Sequence, residues 1–218
     1  MSSSKTLLFD FDGTLVDSMP TYGSVMLSIL DEYGVSYDEG IIKIITPLGY
    51  IGTAEYYIKL GVKATVDELT AKMTEYMIDA YSNKIVEKKD VKNTLTELKK
   101  KGYDLNVLTA SPHSTLDPCL KRNGLWELFS NVWSCNDFKT TKADPKIYGM
   151  CAEKIGVRAE NIIFLDDNYN ACETAKKRGL KVIGVYDDTS SEYTDEIKGL
   201  CDGYINCFSE LPELLLNI

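Results

Sequence analysis

Histidine occurs once in 218 residues, and no two of the six cysteines stand in C-x-x-C spacing. A zinc site built from Cys and His therefore lacks both its spacing and its ligands. Cys119, Cys135, Cys151, Cys172, Cys201 and Cys207 read instead as reduced, mostly buried thiols of a cytosolic chain. Basic residues are also scarce: 24 Lys and Arg face 33 Asp and Glu, for a formal charge of −9. No basic stripe interrupts that balance, so nucleic acid and anionic membrane are excluded as expected partners. No apolar run approaches the roughly 18 to 20 residues that span a bilayer. Residues 1–6 hold one Lys and no long apolar stretch follows before Asp10, so no secretory signal is read and a cytoplasmic location is expected. Pro- or Gly-rich linkers, internal repeats and low-complexity tracts are missing as well.

What is there is a globular composition, 44% hydrophobic and 26% charged, of a length that suits one domain with an insert. Residues 5–10, KTLLFD, form an apolar run too short for a helix, and it suits a buried strand. From Ser18 onward the periodicity is helical, over residues 22–33, 53–59 and 66–80, with breaks at Gly34, Pro47 to Gly52, and Gly61. After Glu87 the pattern alternates. Helices are expected over 91–101, 115–123, 145–155 and 169–178, and strands over 104–108, 131–134, 162–165 and 181–185, with a short strand near Tyr204. Strict alternation predicts an α/β fold, a Rossmann-like parallel sheet with helices on both faces. The catalytic core is expected over residues 1–17 and 87–218, with a helical cap inserted over 18–86.

Ligands of an open parallel sheet bind beyond the carboxyl ends of its strands, so polar residues there are the candidates. The first strand ends in Asp10-Phe11-Asp12-Gly13-Thr14, with Asp10 and Asp12 spaced to share a side. The second expected strand runs into Thr109, Ala110 and Ser111, and the fourth turns abruptly acidic at Asp166-Asp167. Lys142 stands three residues before Pro145. Each feature alone suits something ordinary: Asp and Gly favour turns, and an acidic pair suits a helix N-cap. Four such features at four neighbouring strand ends point to a site.

These residues resemble the four motifs of the haloacid dehalogenase superfamily of phosphohydrolases, in order along the whole chain. Asp10 to Thr14 is similar to the nucleophile motif, Thr109 to the hydroxyl motif, Lys142 to the lysine motif and Asp166-Asp167 to the metal motif. The chain departs from the usual pattern at Ala143, where Pro is frequent, and at Asn168, Tyr169 and Asn170, where Ser and Gly are frequent. The resemblance implies a Mg²⁺-dependent phosphatase acting on a small phosphorylated metabolite of the phosphoglycolate or sugar-phosphate class. It implies Asp10 as the nucleophile, Asp12 as the acid and base, and Thr109 and Lys142 as holders of the phosphoryl oxygens. Mg²⁺ would take Asp10, Asp167 and the Asp12 carbonyl, with Asp166 direct or through water. Gly13, Thr14, Ala110, Ser111 and, from the insert, Tyr50 are candidate substrate contacts. A β-phosphoglucomutase-like phosphotransferase and a non-catalytic binding module are the alternatives. The first is disfavoured by Tyr22 where those mutases carry a His, the second because no reacting group is lost.

Overall fold

The computed structural model describes residues 6–218; Lys5, where the first strand is expected to begin, lies outside the described residues. The elements in chain order are β1 (Thr6–Phe9), α1 (Met19–Glu32), α2 (Ile41–Ile45), α3 (Gly49–Leu60), α4 (Val66–Asn83), α5 (Val91–Lys100), β2 (Asp104–Thr109) and α6 (His113–Arg122). They continue with β3 (Asn131–Ser134), α7 (Cys135–Phe138), α8 (Lys146–Ile155), β4 (Ile162–Asp166), α9 (Tyr169–Arg178), β5 (Lys181–Val185), α10 (Thr194–Leu200), β6 (Gly203–Ile205) and α11 (Leu211–Leu214). The chain separates into two compact units. One comprises residues 6–17 with Val86–Ile218, the other Ser18–Ile85. Val86 thus falls with the larger unit, where its carbonyl accepts from the Asp17 amide.

The larger unit is built on a six-stranded sheet in the order β3-β2-β1-β4-β5-β6. Every pairing is parallel. All four residues of β1 are buried, as expected of a strand covered on both faces, which explains why its sequence is a continuous apolar run rather than an alternating one. The core beneath α8 and α9 joins Leu8, Leu108, Ile147, Tyr148, Phe164, Cys172 and Val182. Four of the six cysteines are buried and none is in a disulfide.

The smaller unit is helical. α4 begins at a capping box in which Thr65 accepts from the Glu68 amide and Glu68 accepts from that of Thr65. Its buried residues, Leu69, Met73, Met77, Ala80 and Tyr81, recur at helical spacing and form one apolar face. Tyr57 on α3 is fully buried and donates its hydroxyl to the Met26 carbonyl of α1 at 2.9 Å. Here the structure corrects one expectation. The break expected at Pro47 to Gly52 does not separate helices there: residues 46–48 form a 3₁₀ turn and α3 starts at Gly49. Proline is compatible with a helix's first turn, where an amide has no partner to lose. Gly49, at φ 64, redirects the chain, and Tyr50 is half-buried in the first turn of α3. The short α2 is not among the expected helices, because its five residues, Ile41 to Ile45, span too little sequence to establish a period.

Candidate active site

β1 and β4 are neighbours at the point where strand order reverses, with Phe9 opposite Leu165. The residue after each strand's last apolar position is therefore acidic, and the Asp10 amide donates to the Leu165 carbonyl at 2.9 Å. This register brings Asp10, Asp166 and Asp167 together, with one carboxylate oxygen from each within 4.8 Å of the other two and all three residues buried. The Lys142 ammonium lies 2.7 Å from both Asp10 Oδ1 and Asp166 Oδ2. Lys142 reaches in from the turn before α8, and the Tyr148 hydroxyl donates to its carbonyl at 3.2 Å. Sequence spacing could not place this lysine. It is 24 residues from one partner and 132 from the other, and only the fold joins them.

The charges in this cluster are not balanced. Three carboxylates and one ammonium leave a formal −2 in a buried space. Burial pushes the Asp166 carboxyl up to about 7, despite the opposing pull of Lys142. Burial, reinforced by the charges of Asp166 and Asp10, holds Asp167 well above the usual carboxylate range. Burial alone would lower the Lys142 ammonium, but Asp10 and Asp166 overcome it and raise its pKa well above the ordinary value. A buried all-oxygen donor set with surplus negative charge has the chemistry of a site for a hard divalent cation.

Asp12 shares a cleft of about 320 Å³ with Asp10, Lys142, Asp167, Ala110 and Asn168. Its carboxylate accepts from the Ser111 hydroxyl at 2.5 Å. Asp10 and Asp12 thus face one space, although only Asp10 belongs to the acidic cluster. Gly13 has φ +76, and a Cβ there would lie 2.7 Å from a carboxylate oxygen of Asp167. Glycine is required on both counts. Thr14, a candidate substrate contact, is fully buried and donates to Asp167 Oδ1 at 2.9 Å. Thr109 is buried at the end of β2, where its hydroxyl accepts from the Ser111 amide at 3.1 Å. Tyr50 belongs to the helical unit.

Sequence reasoning missed two contributors. Asn168 caps α9 by accepting from the Ala171 amide, and its own amide donates to Asp166 Oδ1 at 2.7 Å. Its position before a helical period was the available signal. Lys88 donates to the Gly13 carbonyl, and nothing in its local sequence marks it.

Comparison with known proteins identifies the family and relatives of the chain. Residues 7–185 match the family model described as haloacid dehalogenase-like hydrolase. The chain is 31% identical over 180 residues to the pyrophosphatase PpaX of Bacillus velezensis, covering 82% of each chain. It is 25% identical to the phosphorylated carbohydrates phosphatase of Thermotoga maritima, covering 82% of this chain and 83% of that one. Among solved structures it resembles a predicted phosphoglycolate phosphatase from Haemophilus somnus, with TM-score 0.83, 23% identity and 99% of both chains covered.

Proposed function

The chain belongs to the haloacid dehalogenase-like hydrolases and is a phosphatase of that family; from that premise we propose that it is a Mg²⁺-dependent hydrolase of small phosphomonoesters, of the phosphoglycolate or sugar-phosphate class. The observation that carries the reading is the buried cluster of Asp10, Asp166 and Asp167 bridged by Lys142 at one end of an open cleft. Phosphatases of the family generally use a divalent metal, and the donor set fits one. Asp10, Asp167 and the Asp12 carbonyl would hold the cation, with Asp166 beside them, and the cation would offset the charge of the phosphoryl group.

An Asp10 carboxylate oxygen attacks phosphorus, and the bond from phosphorus to the leaving oxygen breaks as Asp12 gives that oxygen its proton. The product alcohol departs and an aspartyl-phosphate remains. Asp12, now ionised, takes a proton from water. The water oxygen attacks phosphorus, the bond to Asp10 breaks, and inorganic phosphate leaves with the site restored. Lys142 pairs with Asp10 and Asp166 between turnovers and offers its ammonium to the incoming phosphoryl oxygens. A cytoplasmic location belongs to the same reading; among the described residues no helix is long and apolar enough to cross a membrane.

A second substrate class, inorganic pyrophosphate, is favoured by the 31% identity to a pyrophosphatase. Phosphate release from a panel of phosphoglycolate, sugar phosphates and pyrophosphate, with Mg²⁺ or with excess chelator, tests both. Mg²⁺-dependent release from a member of the panel is expected, and the preferred member chooses between the classes. No release, or full release in chelator, would overturn the reading.

A further inference from the structure

We propose that Lys88 is a positioning residue whose ammonium holds the peptide after Gly13 and so fixes the loop carrying Asp10 and Asp12. The inference rests on the catalytic reading of that loop. Lys88 lies just beyond Val86, where the chain re-enters the larger unit. Its Nζ donates to the Gly13 carbonyl and, at 2.7 Å, to the Tyr186 carbonyl, and pairs with Asp187 Oδ2 at 2.9 Å. An ammonium has three N–H groups, and these three acceptors match them. The side chain is 18% exposed and that of Asp187 5%.

The backbone around Lys88 is tied to the same loop. Its amide donates to the Leu15 carbonyl, the Asp17 amide donates to the Val86 carbonyl, and Val16 bridges Glu87 in antiparallel fashion. On the far side, the Tyr186 amide donates to the Ile205 carbonyl, so the acceptor at residue 186 is anchored to β6. Lys88 thus joins three segments at the carboxyl edge of the sheet, and one of them is the loop after β1. That loop has no slack. The Gly13 amide donates to the Val16 carbonyl, its Cα faces the Asp167 carboxylate, and Thr14 donates to Asp167. Rotating the peptide between Gly13 and Thr14 would move Thr14 off Asp167 and shift Asp12 beside it.

The effect is geometric rather than a matter of net charge. Asp187 matches the ammonium, and although burial opposes its ionisation, hydrogen bonds from Thr189 and Lys88 hold its carboxyl below the ordinary value. This separates positioning from simple ion pairing. Lys88→Met leaves a buried carboxylate unpaired, whereas Lys88→Met with Asp187→Asn removes both charges and keeps an oxygen for Thr189 to reach.

The test uses the full chain and measures Tm, kcat and KM on an aryl phosphate with Mg²⁺, and amide hydrogen exchange over residues 10–16. Lys88→Met is expected to lower Tm and to lower kcat by up to about 10²-fold, the scale of a misplaced reacting group, with KM little changed. The double variant is expected to regain Tm while kcat stays low and exchange over residues 10–16 stays fast. Recovery of kcat along with Tm, or wild-type exchange in that segment, would overturn the proposal. Should Lys88→Met fail to fold, the double variant carries the test alone. Absence of any phosphatase activity in the wild type would count against the proposed function, and the exchange measurement would still judge Lys88.

Discussion

Asp10 and Asp12 are two residues apart and chemically identical, yet the fold gives them different surroundings. Asp10 is buried against Lys142, while Asp12 accepts from Ser111 at the cleft. The proposed division of labour between nucleophile and proton carrier rests on this difference. Asp12→Asn should therefore leave the acidic cluster intact and lower turnover by about 10² to 10⁴, the usual range for lost acid–base catalysis; steady-state kinetics checks it, and near-normal rates would remove Asp12 from the proton path. Gly13→Ala should fail differently. Its Cβ meets the Asp167 carboxylate and its φ is strained, so calorimetric Mg²⁺ binding should weaken together with activity. Unaltered Mg²⁺ affinity would show that Asp167 can move aside without consequence.

The elements were legible to the extent that their sequences carried a period or a sharp ending. β3, α9 and β5 begin and end where the pattern places them, and β4 runs one residue further, into Asp166. α7 was invisible because four residues hold no period; its capping by Ser134 and Asp137 depends on β3 ending beside it. Caps are where element stability can be tested most cleanly. Thr65→Ala removes an acceptor from the first turn of α4 and should cost about 1 kcal/mol in chemical denaturation of the helical unit.

The contact between α6 and α7 should depend on pH. His113 donates toward Asp117 and Asp137 through its two ring nitrogens. The Asp117 hydrogen bond chiefly raises its pKa above 6.5; burial opposes, and Asp137 adds to the rise. A folded value above the unfolded one means that folding favours the protonated ring, so the stabilisation is complete below about 6.5 and is lost as pH rises through the folded value. The stability difference between wild type and His113→Gln should accordingly shrink from pH 5.5 to pH 8.5, and a constant difference would show that the pair does not couple to folding.

At the scale of the whole molecule, an acidic chain must present an anionic substrate with a locally reversed charge. Asp10, Asp166 and Asp167 with Lys142 still carry a formal −2, so that reversal would need a bound cation, and the fold builds the cation's donor set by register. Parallel pairing of β1 with β4 sets Asp10 beside Asp166, and Lys142 arrives from the turn before α8. The four motifs were readable because each sits where an apolar strand or a turn ends. Lys88 and Asp187 were not, since a lysine and an aspartate 99 residues apart look like solvated charges until β5 and the returning chain meet. The proposed mechanism requires Asp10 to become phosphorylated during turnover. Rapid mixing with a hydrolysed substrate and Mg²⁺, acid quenching and peptide mass mapping should find phosphate on the peptide containing Asp10 in wild type. Asp10→Asn should carry none and turn over no substrate. A wild type that turns over under these conditions with no phosphate on that peptide, or an Asp10→Asn protein that still turns over, would contradict the account.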